Sequence, residues 1–379
     1  MDATNFVAPQ WGRAVSTGGP AAYVAFVPAA LPKDLHLEPQ TIIALSSADS
    51  SLGRLAGVGR ILPAPHLLLL PYLTREAVAS SRIEGTQASI SDVFEARATG
   101  DIGSADVREV SNYIAALNHG IDRLESLPVS TRLIREMHRI LLTGVRGQER
   151  TPGELRVSQN WIGSDRPSTA LFVPPTVDEM RPALWDWEHY AHDLNPGLPL
   201  LIRTALLHYQ FETIHPFLDG NGRLGRLFVV LYLVEKGVIP APLLPLSAAL
   251  EQRRSEYYER LQAVRERGEV QEWLRFFLNV VADTASDSIS RAERLVDLRE
   301  GYLARLAGSR SRANEVVDLI MSSPVITTRQ VANGLGVSVV GAGNLLRQLQ
   351  RLDVVSEQRR GNGIATLWRA GDVLAAVSE

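Results

Sequence analysis

His215-Pro216-Phe217-Leu218-Asp219-Gly220-Asn221-Gly222-Arg223-Leu224-Gly225-Arg226 is the stretch that decides how this chain reads. It is a polar loop with paired glycines, set between two strongly apolar helical segments at 199–212 and 224–236. Stability alone would not favour such a loop between buried helices. Its glycines let backbone approach a ligand and take φ values that other residues resist. The loop feeds a helix N-terminus, where free N–H groups and the helix dipole favour an anion. Arg223 and Arg226, one turn apart, can grip phosphate with paired hydrogen bonds. Asp219 supplies a hard oxygen suited to Mg²⁺, which usually binds one or two carboxylates plus substrate phosphates. His215 is a proton acceptor for near-neutral pH. Together these residue types specify a phosphate-handling site.

Simpler readings fail for the set. Asp-Gly and Asn-Gly are ordinary turn dipeptides, and a lone histidine before proline is more often a packing residue. Gly220, Gly222 and Gly225 spell Gly-x-Gly-x-x-Gly, but they follow a helix and His-Pro, not a strand, which excludes a dinucleotide fold. No P-loop sequence is present. The other histidines, His208 among them, lack metal-ligand spacing and read as structural.

Outward from the loop, helical patterns dominate from about 50 to 300, at 109–127, 129–142, 177–194, 248–267 and 270–306 as well as the two flanking segments. Leu133, Met137, Ile140 and Leu141 mark a single helix face. Residues 151–175 break the pattern with short β-prone runs around a polar tip at 163–169, which predicts a projecting β-hairpin. Residues 1–45, rich in Pro, Ala and Gly, predict an irregular arm. A joint at 303–311 precedes helices at 313–321, 328–335 and 338–352. Val354–Val355, a basic turn at 359–363 and a strand at 364–368 follow, which makes a winged helix-turn-helix.

The chain has 379 residues, with 45% apolar and 21% charged. That length predicts two or three domains, and the composition excludes a disordered chain. The net charge of −3 gives no sign of a surface that binds nucleic acid or anionic membrane throughout. Without cysteine there can be no disulfide, thiolate metal site or thiol nucleophile. No run approaches the ~18 apolar residues of a membrane span. The first residues hold no basic or apolar leader pattern, so the expected location is cytoplasmic.

His215 to Arg226 resembles the Fic motif, His-x-Phe-x-Asp/Glu-Gly-Asn-Gly-Arg-x-x-Arg, at every fixed position, and the resemblance extends over about 45–370. It implies a mostly α fold: a Fic-type helical core with a β-hairpin flap and a C-terminal winged helix. The expected divisions are an arm at 1–45, a helical region carrying an inhibitory helix at 46–127, the core at 128–302 and the winged helix at 311–379. It also implies an AMP transferase that moves AMP from Mg²⁺·ATP to a Ser, Thr or Tyr hydroxyl of a target protein. His215 would take the hydroxyl proton, Asp219 would hold Mg²⁺, and Asn221 would orient the α-phosphate. The Gly220–Gly222 backbone and Arg223 would hold the β-phosphate, and Arg226 the γ-phosphate. Leu224 and Gly225 belong to the same ATP-binding run.

A helix at 73–84, capped by Thr74 and stopped by Gly85, would leave Glu84 at its C-terminal end, where the dipole disfavours a negative charge. Ser80 lies one turn earlier. Ser80-x-x-x-Glu84-Gly85 is similar to the inhibitory motif of Fic proteins, in which the glutamate pairs with the second motif arginine, here Arg226. In some members that glutamate supports removal of AMP. Leu171, Phe172 and Val173 resemble the flap that receives the target segment by strand addition, and Gly153-Glu154-Leu155-Arg156 fits the pattern just before it. Of Tyr257 and Tyr258, about 100° apart on a helix, one would sit by the adenine or ribose, and Tyr258 is preferred. The rival reading is a DNA-binding or docking regulator whose core only senses nucleotide. Its recognition helix would offer Asn344, Arg347, Gln348 and Arg351, with Arg359 and Arg360 in the wing. Relatives are often dimers, so a homodimer is a further expectation.

Overall fold

The computed structural model describes residues 1–18, 22–61, 66–194, 197–358 and 366–378. It opens with an antiparallel hairpin, β1 (Gly12–Ser16) and β2 (Val24–Pro28). Eight helices follow, α1 (Pro39–Ile61), α2 (His66–Ile83), α3 (Ile90–Thr99), α4 (Ala105–Arg123), α5 (Thr131–Leu141), α6 (Val177–Ala191), α7 (Leu200–Ile214) and α8 (Asn221–Glu235). The helical body ends with α9 (Leu246–Gln252), α10 (Arg254–Arg267) and the long α11 (Val270–Arg305). Beyond it lie α12 (Ala313–Ser322), β3 (Val325–Thr327), α13 (Thr328–Leu335), α14 (Val339–Arg351), β4 (Ser356–Gln358), β5 (Leu367–Arg369) and α15 (Gly371–Ser378).

The centre is α7 and α8. Every residue of α7 from Leu201 to Ile214 is buried, as expected for a helix without a polar face. α4, α5 and α6 surround the pair, and one continuous apolar core runs from the body into the C-terminal unit. That unit is not a tethered appendage. Arg369 pairs with Glu95 at 3.0 Å and also bonds Ser91 on α3, and Gln330 donates to the Arg97 carbonyl. Arg291 of α11 caps the end of α15 through the Ala376 carbonyl and binds Asp287, which holds Arg75 of α2. The C-terminal unit is thereby packed on the helix that carries Ser80.

The structure corrects several sequence expectations. The 1–45 arm is not irregular throughout: Gly12–Ser16 and Val24–Pro28 pair as strands, and α1 begins at Pro39. β2 is buried at Ala25, Phe26 and Val27, and the Phe26 N–H donates to the Val173 carbonyl at 2.9 Å, a partner 147 positions away. The 151–175 segment is not a regular hairpin. It holds one isolated bridge, Ile162 to Phe172, and a 3-10 turn at Pro167–Thr169, because β2 takes the pairing position beside Val173. Thr74 is no cap: α2 begins at His66, and the Thr74 hydroxyl bonds the Leu70 carbonyl inside the helix. The 109–127 helix lies at 105–123, started by a Ser104 cap. The 248–267 helix is broken at Arg253 into α9 and α10. In the C-terminal unit the sheet has three antiparallel strands in the order β3-β5-β4, with β4 following Val354–Val355. Arg359, Arg360 and the 359–363 turn lie outside the described residues.

Candidate active site

α7 stops at Ile214 because His215 turns into the left-handed region, φ 49° and ψ 62°. That conformation is uncommon for a residue with a Cβ. Here it is held by two donors on the His215 carbonyl, Arg156 Nε at 3.0 Å and Asn160 Nδ2 at 3.1 Å. Asn221 closes the loop from the other side: its amide accepts from the Phe217 N–H at 2.9 Å and donates to the Phe217 carbonyl at 2.8 Å. His138 on α5 supports the turn from below. Its Nδ1 accepts the Gly153 N–H at 2.7 Å, so its Nε2 donates to the Asp219 carbonyl at 3.0 Å, and its ring stacks on Phe217. Burial lowers the His138 pKa to about 4, which keeps this arrangement neutral. Gly220, φ 76°, then starts α8.

Glu84 stands at this helix start. Its carboxylate accepts from Arg226 at 2.8 Å, and a Cβ built on Gly222 would lie 2.6 Å from Glu84 Oε1. It therefore stands beside the first turn of α8, whose leading N–H groups have no partner within the helix. Ser80 completes the grip on Arg226, its hydroxyl taking Nε and its carbonyl NH2, both at 2.9 Å. Burial pushes the Glu84 carboxyl up, but the facing guanidinium outweighs it and holds the group below its ordinary value. Burial likewise opposes charge on Arg226, and Glu84 reverses the balance to hold it above its ordinary value.

The loop, Glu84 and the flap line a cleft of about 560 Å³. His215, Asp219, Gly220, Gly222 and Arg226 all reach it, as do Glu84, Leu171, Phe172 and Tyr258. Other expected residues do not offer what the sequence suggested. The Asn221 side chain lines the cleft, but its oxygen and one N–H are spent on Phe217, which leaves its second N–H as the donor for a phosphate. Arg223 is 1% exposed and lies behind the loop, with NH1 3.4 Å from Glu109 and NH2 3.5 Å from Asp219. Leu224 is buried in the core, and the Gly225 carbonyl accepts from His208 Nδ1. Phe172 and Val173 are buried, which leaves Leu171 as the outward residue of the three. Tyr257 is buried against His208 at 2.8 Å while Tyr258 faces the cleft.

Five cleft residues on α7 and α10 went unread in the sequence: Glu212, Arg254, Leu261, Gln262 and Arg265. Arg254, Gln262 and Arg265 come from α10, and only the 3.6-residue repeat that also brings in Tyr258 and Leu261 could have flagged them. Arg265 lies 3.8 Å over the Phe172 ring, a cation–π contact that ties α10 to the flap. Glu212, buried beneath the cleft, has its carboxyl raised to about 7 by burial. Its Oε1 packs on Gly225, where an added Cβ would overlap it and stand 3.2 Å from its Cδ. Gly225→Ala should therefore destabilise the fold by about 1–3 kcal/mol, readable in urea unfolding.

Burial lowers the His215 pKa to about 4, with Arg156 and Arg265 adding to the effect. Its Nδ1 faces the Glu212 carbonyl at 3.3 Å, which can only accept, so the proton sits on Nδ1 and Nε2 keeps a free lone pair.

Comparison with known proteins agrees with this layout. The model for the Fic/DOC family N-terminal region matches residues 42–122, and that for the Fic/DOC family matches 128–233. Protein adenylyltransferase Fic of Drosophila grimshawi is 30% identical over 208 residues, 53% of this chain and 40% of that protein. Protein adenylyltransferase fic-1 of Caenorhabditis elegans is 33% identical over 179 residues, 46% of this chain and 31% of that protein. The chain thus spans two fifths or less of the length of these curated relatives. In fold it is similar to a Fic family protein from Desulfovibrio desulfuricans G20, with a TM-score of 0.56 at 20% identity, covering 89% of this chain and 97% of that one. It is also similar to a fragment of C. elegans Fic-1, with a TM-score of 0.51 at 22% identity, covering 66% and 73%. Through residues 42–122 and 128–233, which contain Glu84 and the entire His215–Arg226 loop, this chain belongs to the Fic/DOC family.

Proposed function

We propose that the protein transfers AMP from Mg²⁺·ATP to a hydroxyl side chain of a target protein and that Glu84 restrains the transfer. The observation that carries this reading is the Glu84 carboxylate, an anion already seated on Arg226 and at the start of α8, in a cleft shared with an unprotonated His215. A γ-phosphate would take the same place once Glu84 withdrew. The α8 N–H groups would hold the neighbouring phosphate oxygens.

His215 Nε2 would accept the proton of the incoming Ser, Thr or Tyr hydroxyl as its oxygen bonds to the α-phosphorus. The bond from that phosphorus to the bridging oxygen breaks, and pyrophosphate leaves. Positioning and charge neutralisation supply most of the rate in such transfers. Among the described residues no cluster of three or more His, Asp or Glu could hold a metal by itself. One half-exposed carboxylate, Asp219, does face the cleft. This donor set suits Mg²⁺ that arrives with the nucleotide and keeps phosphate and water as most of its ligands. When bound, the ion would neutralise charge on the phosphates. Leu171, with Trp161 and Ile162, would receive the target segment at the mouth.

Intact-mass spectrometry of the protein with a candidate target and Mg²⁺·ATP tests the reaction. A gain of one AMP on either protein is expected, and a gain of phosphate or no gain would refute it. Loss of AMP from a pre-modified target in the same assay would instead assign the site to removal, in which Glu84 orients water.

A second reading concerns the C-terminal unit, whose helix–sheet order is that of a winged helix. α14 leaves Asn344, Arg347 and Arg351 exposed along one side, residue types that contact duplex DNA. From 311 to 370 there are seven arginines and four acids, a net +3. In a salt-titrated gel shift, binding that weakens steeply with salt would support DNA contact. Its absence would leave the unit as a brace for α2 and α3. No described helix is long and apolar enough to cross a membrane.

A further inference from the structure

Arg156 is a buried cation of an unusual kind: its residue is 0% exposed, and it makes no ion pair among the described residues. Its charge is met by carbonyl oxygens instead. Nε donates to His215 at 3.0 Å, NH1 to Ser158 at 3.4 Å, and NH2 to Pro175 at 2.5 Å and Ile214 at 3.5 Å. Its own backbone N–H donates to the Pro216 carbonyl at 2.9 Å. Three of these acceptors, Ile214, His215 and Pro216, are the end of α7 and the turn after it. The last carbonyls of a helix have no partner within it and carry the negative end of its dipole. A guanidinium set across Ile214 and His215, with the backbone N–H on Pro216, satisfies both demands. The other two acceptors, Ser158 and Pro175, sit at the two ends of the flap segment.

His215 is one of three non-glycine residues with positive φ among those described, and it is the one in the cleft. A left-handed residue with a Cβ costs about 1–2 kcal/mol and persists only where its surroundings over-determine it. Beside the single bond from Asn160, Arg156 supplies that constraint from one planar fork, joining the histidine to both ends of the flap. We infer that Arg156 is the positioning residue for His215, holding it in the left-handed turn and in register with the flap that receives the target. This rests on the reading of His215 as proton acceptor, and it assigns Arg156 no contact with nucleotide, metal or target.

Geometry and charge can be separated by two substitutions in the Glu84→Gly background. Arg156→Lys keeps the charge but loses the fork, and Arg156→Gln loses both. Single-turnover AMP transfer should fall at least 10-fold in each variant. The Kd for a non-hydrolysable ATP analogue should stay within 3-fold, because α8 and Arg226 are anchored independently through Asn221 and Ser80. The groups that face His215 electrostatically are Arg156, Arg265 and Glu84. Loss of the turn relaxes the burial that lowers the His215 imidazole, so its titration, followed by NMR, should rise in both variants, and further in Arg156→Gln, which also loses the positive charge. A transfer rate unchanged in a folded Arg156→Lys protein would overturn the inference. So would rate and nucleotide affinity falling together, in step with melting temperature, since that is the signature of general destabilisation. A Glu84→Gly parent that binds nucleotide but transfers nothing would refute AMP transfer itself. The His215 titration and the His215 φ in a crystal structure of Arg156→Lys would still decide the role of Arg156: a retained left-handed turn in that structure would refute it.

Discussion

In Glu84→Gly, AMP incorporation from Mg²⁺·ATP, self-modification included, should exceed the wild-type level by about 10- to 100-fold. The wild-type cleft is closed by a charge-assisted hydrogen bond, 2.8 Å from Arg226 to Glu84, with the carboxylate about one third exposed. Bonds of this type contribute roughly 1.5–3 kcal/mol. If only the fraction of molecules with Glu84 withdrawn admits a productive γ-phosphate, apparent affinity is reduced by that fraction. Removing the carboxylate leaves Arg226 without its ion-pair partner but still fixed by Ser80. The freed cation then attracts the triphosphate instead of rearranging. Radiolabelled AMP incorporation measures the effect, and a variant no more active than wild type would remove Glu84 from any inhibitory role.

His215→Ala, placed in the Glu84→Gly background, should lower transfer by about 10²–10⁴-fold, the range for loss of a positioned general base. Nucleotide affinity should change little, because Arg226 and the start of α8 remain. With its pKa lowered to about 4 by burial, His215 is unprotonated throughout the neutral range. The proton-accepting form is present above that value and is lost as pH falls through it, so the parent rate should not decline between pH 8 and 6 on account of this group. Single-turnover kinetics with separate analogue titration distinguish a base from a binding residue.

The sequence made the loop legible because its chemistry is local: a histidine, a carboxylate, paired glycines and a helix start lie within twelve residues. The mostly helical fold was legible for the same reason, since apolar periodicity is carried by each segment alone. Long-range partners were not. Arg223 and Arg226 are equivalent by spacing, and what separates them is Glu109 on α4, 114 positions from Arg223, and Ser80 on α2, 146 from Arg226. The 1–45 arm read as irregular because the carbonyl that meets β2 from the far side belongs to Val173, 147 positions from Phe26. Thr74 looked like a cap because threonine is a favoured N-cap residue, yet α2 starts at His66 and runs through it. Glu84 was visible locally only as a charge at an unfavourable helix end, and its partner came from resemblance. Arg156 carried a pattern without a purpose until its five carbonyl acceptors were seen together.

The central claim is that Glu84 and the terminal phosphate of ATP compete for one place, Arg226 and the amides that begin α8. The direct test is a crystal structure of Glu84→Gly soaked with Mg²⁺ and a non-hydrolysable ATP analogue, beside a wild-type crystal soaked in the same way. The account predicts a triphosphate over Asn221 and Gly222 in the variant, its terminal phosphate on Arg226 and its α-phosphate facing His215. An empty cleft in the variant, or a triphosphate that sits equally well in wild type with Glu84 still on Arg226, would contradict it.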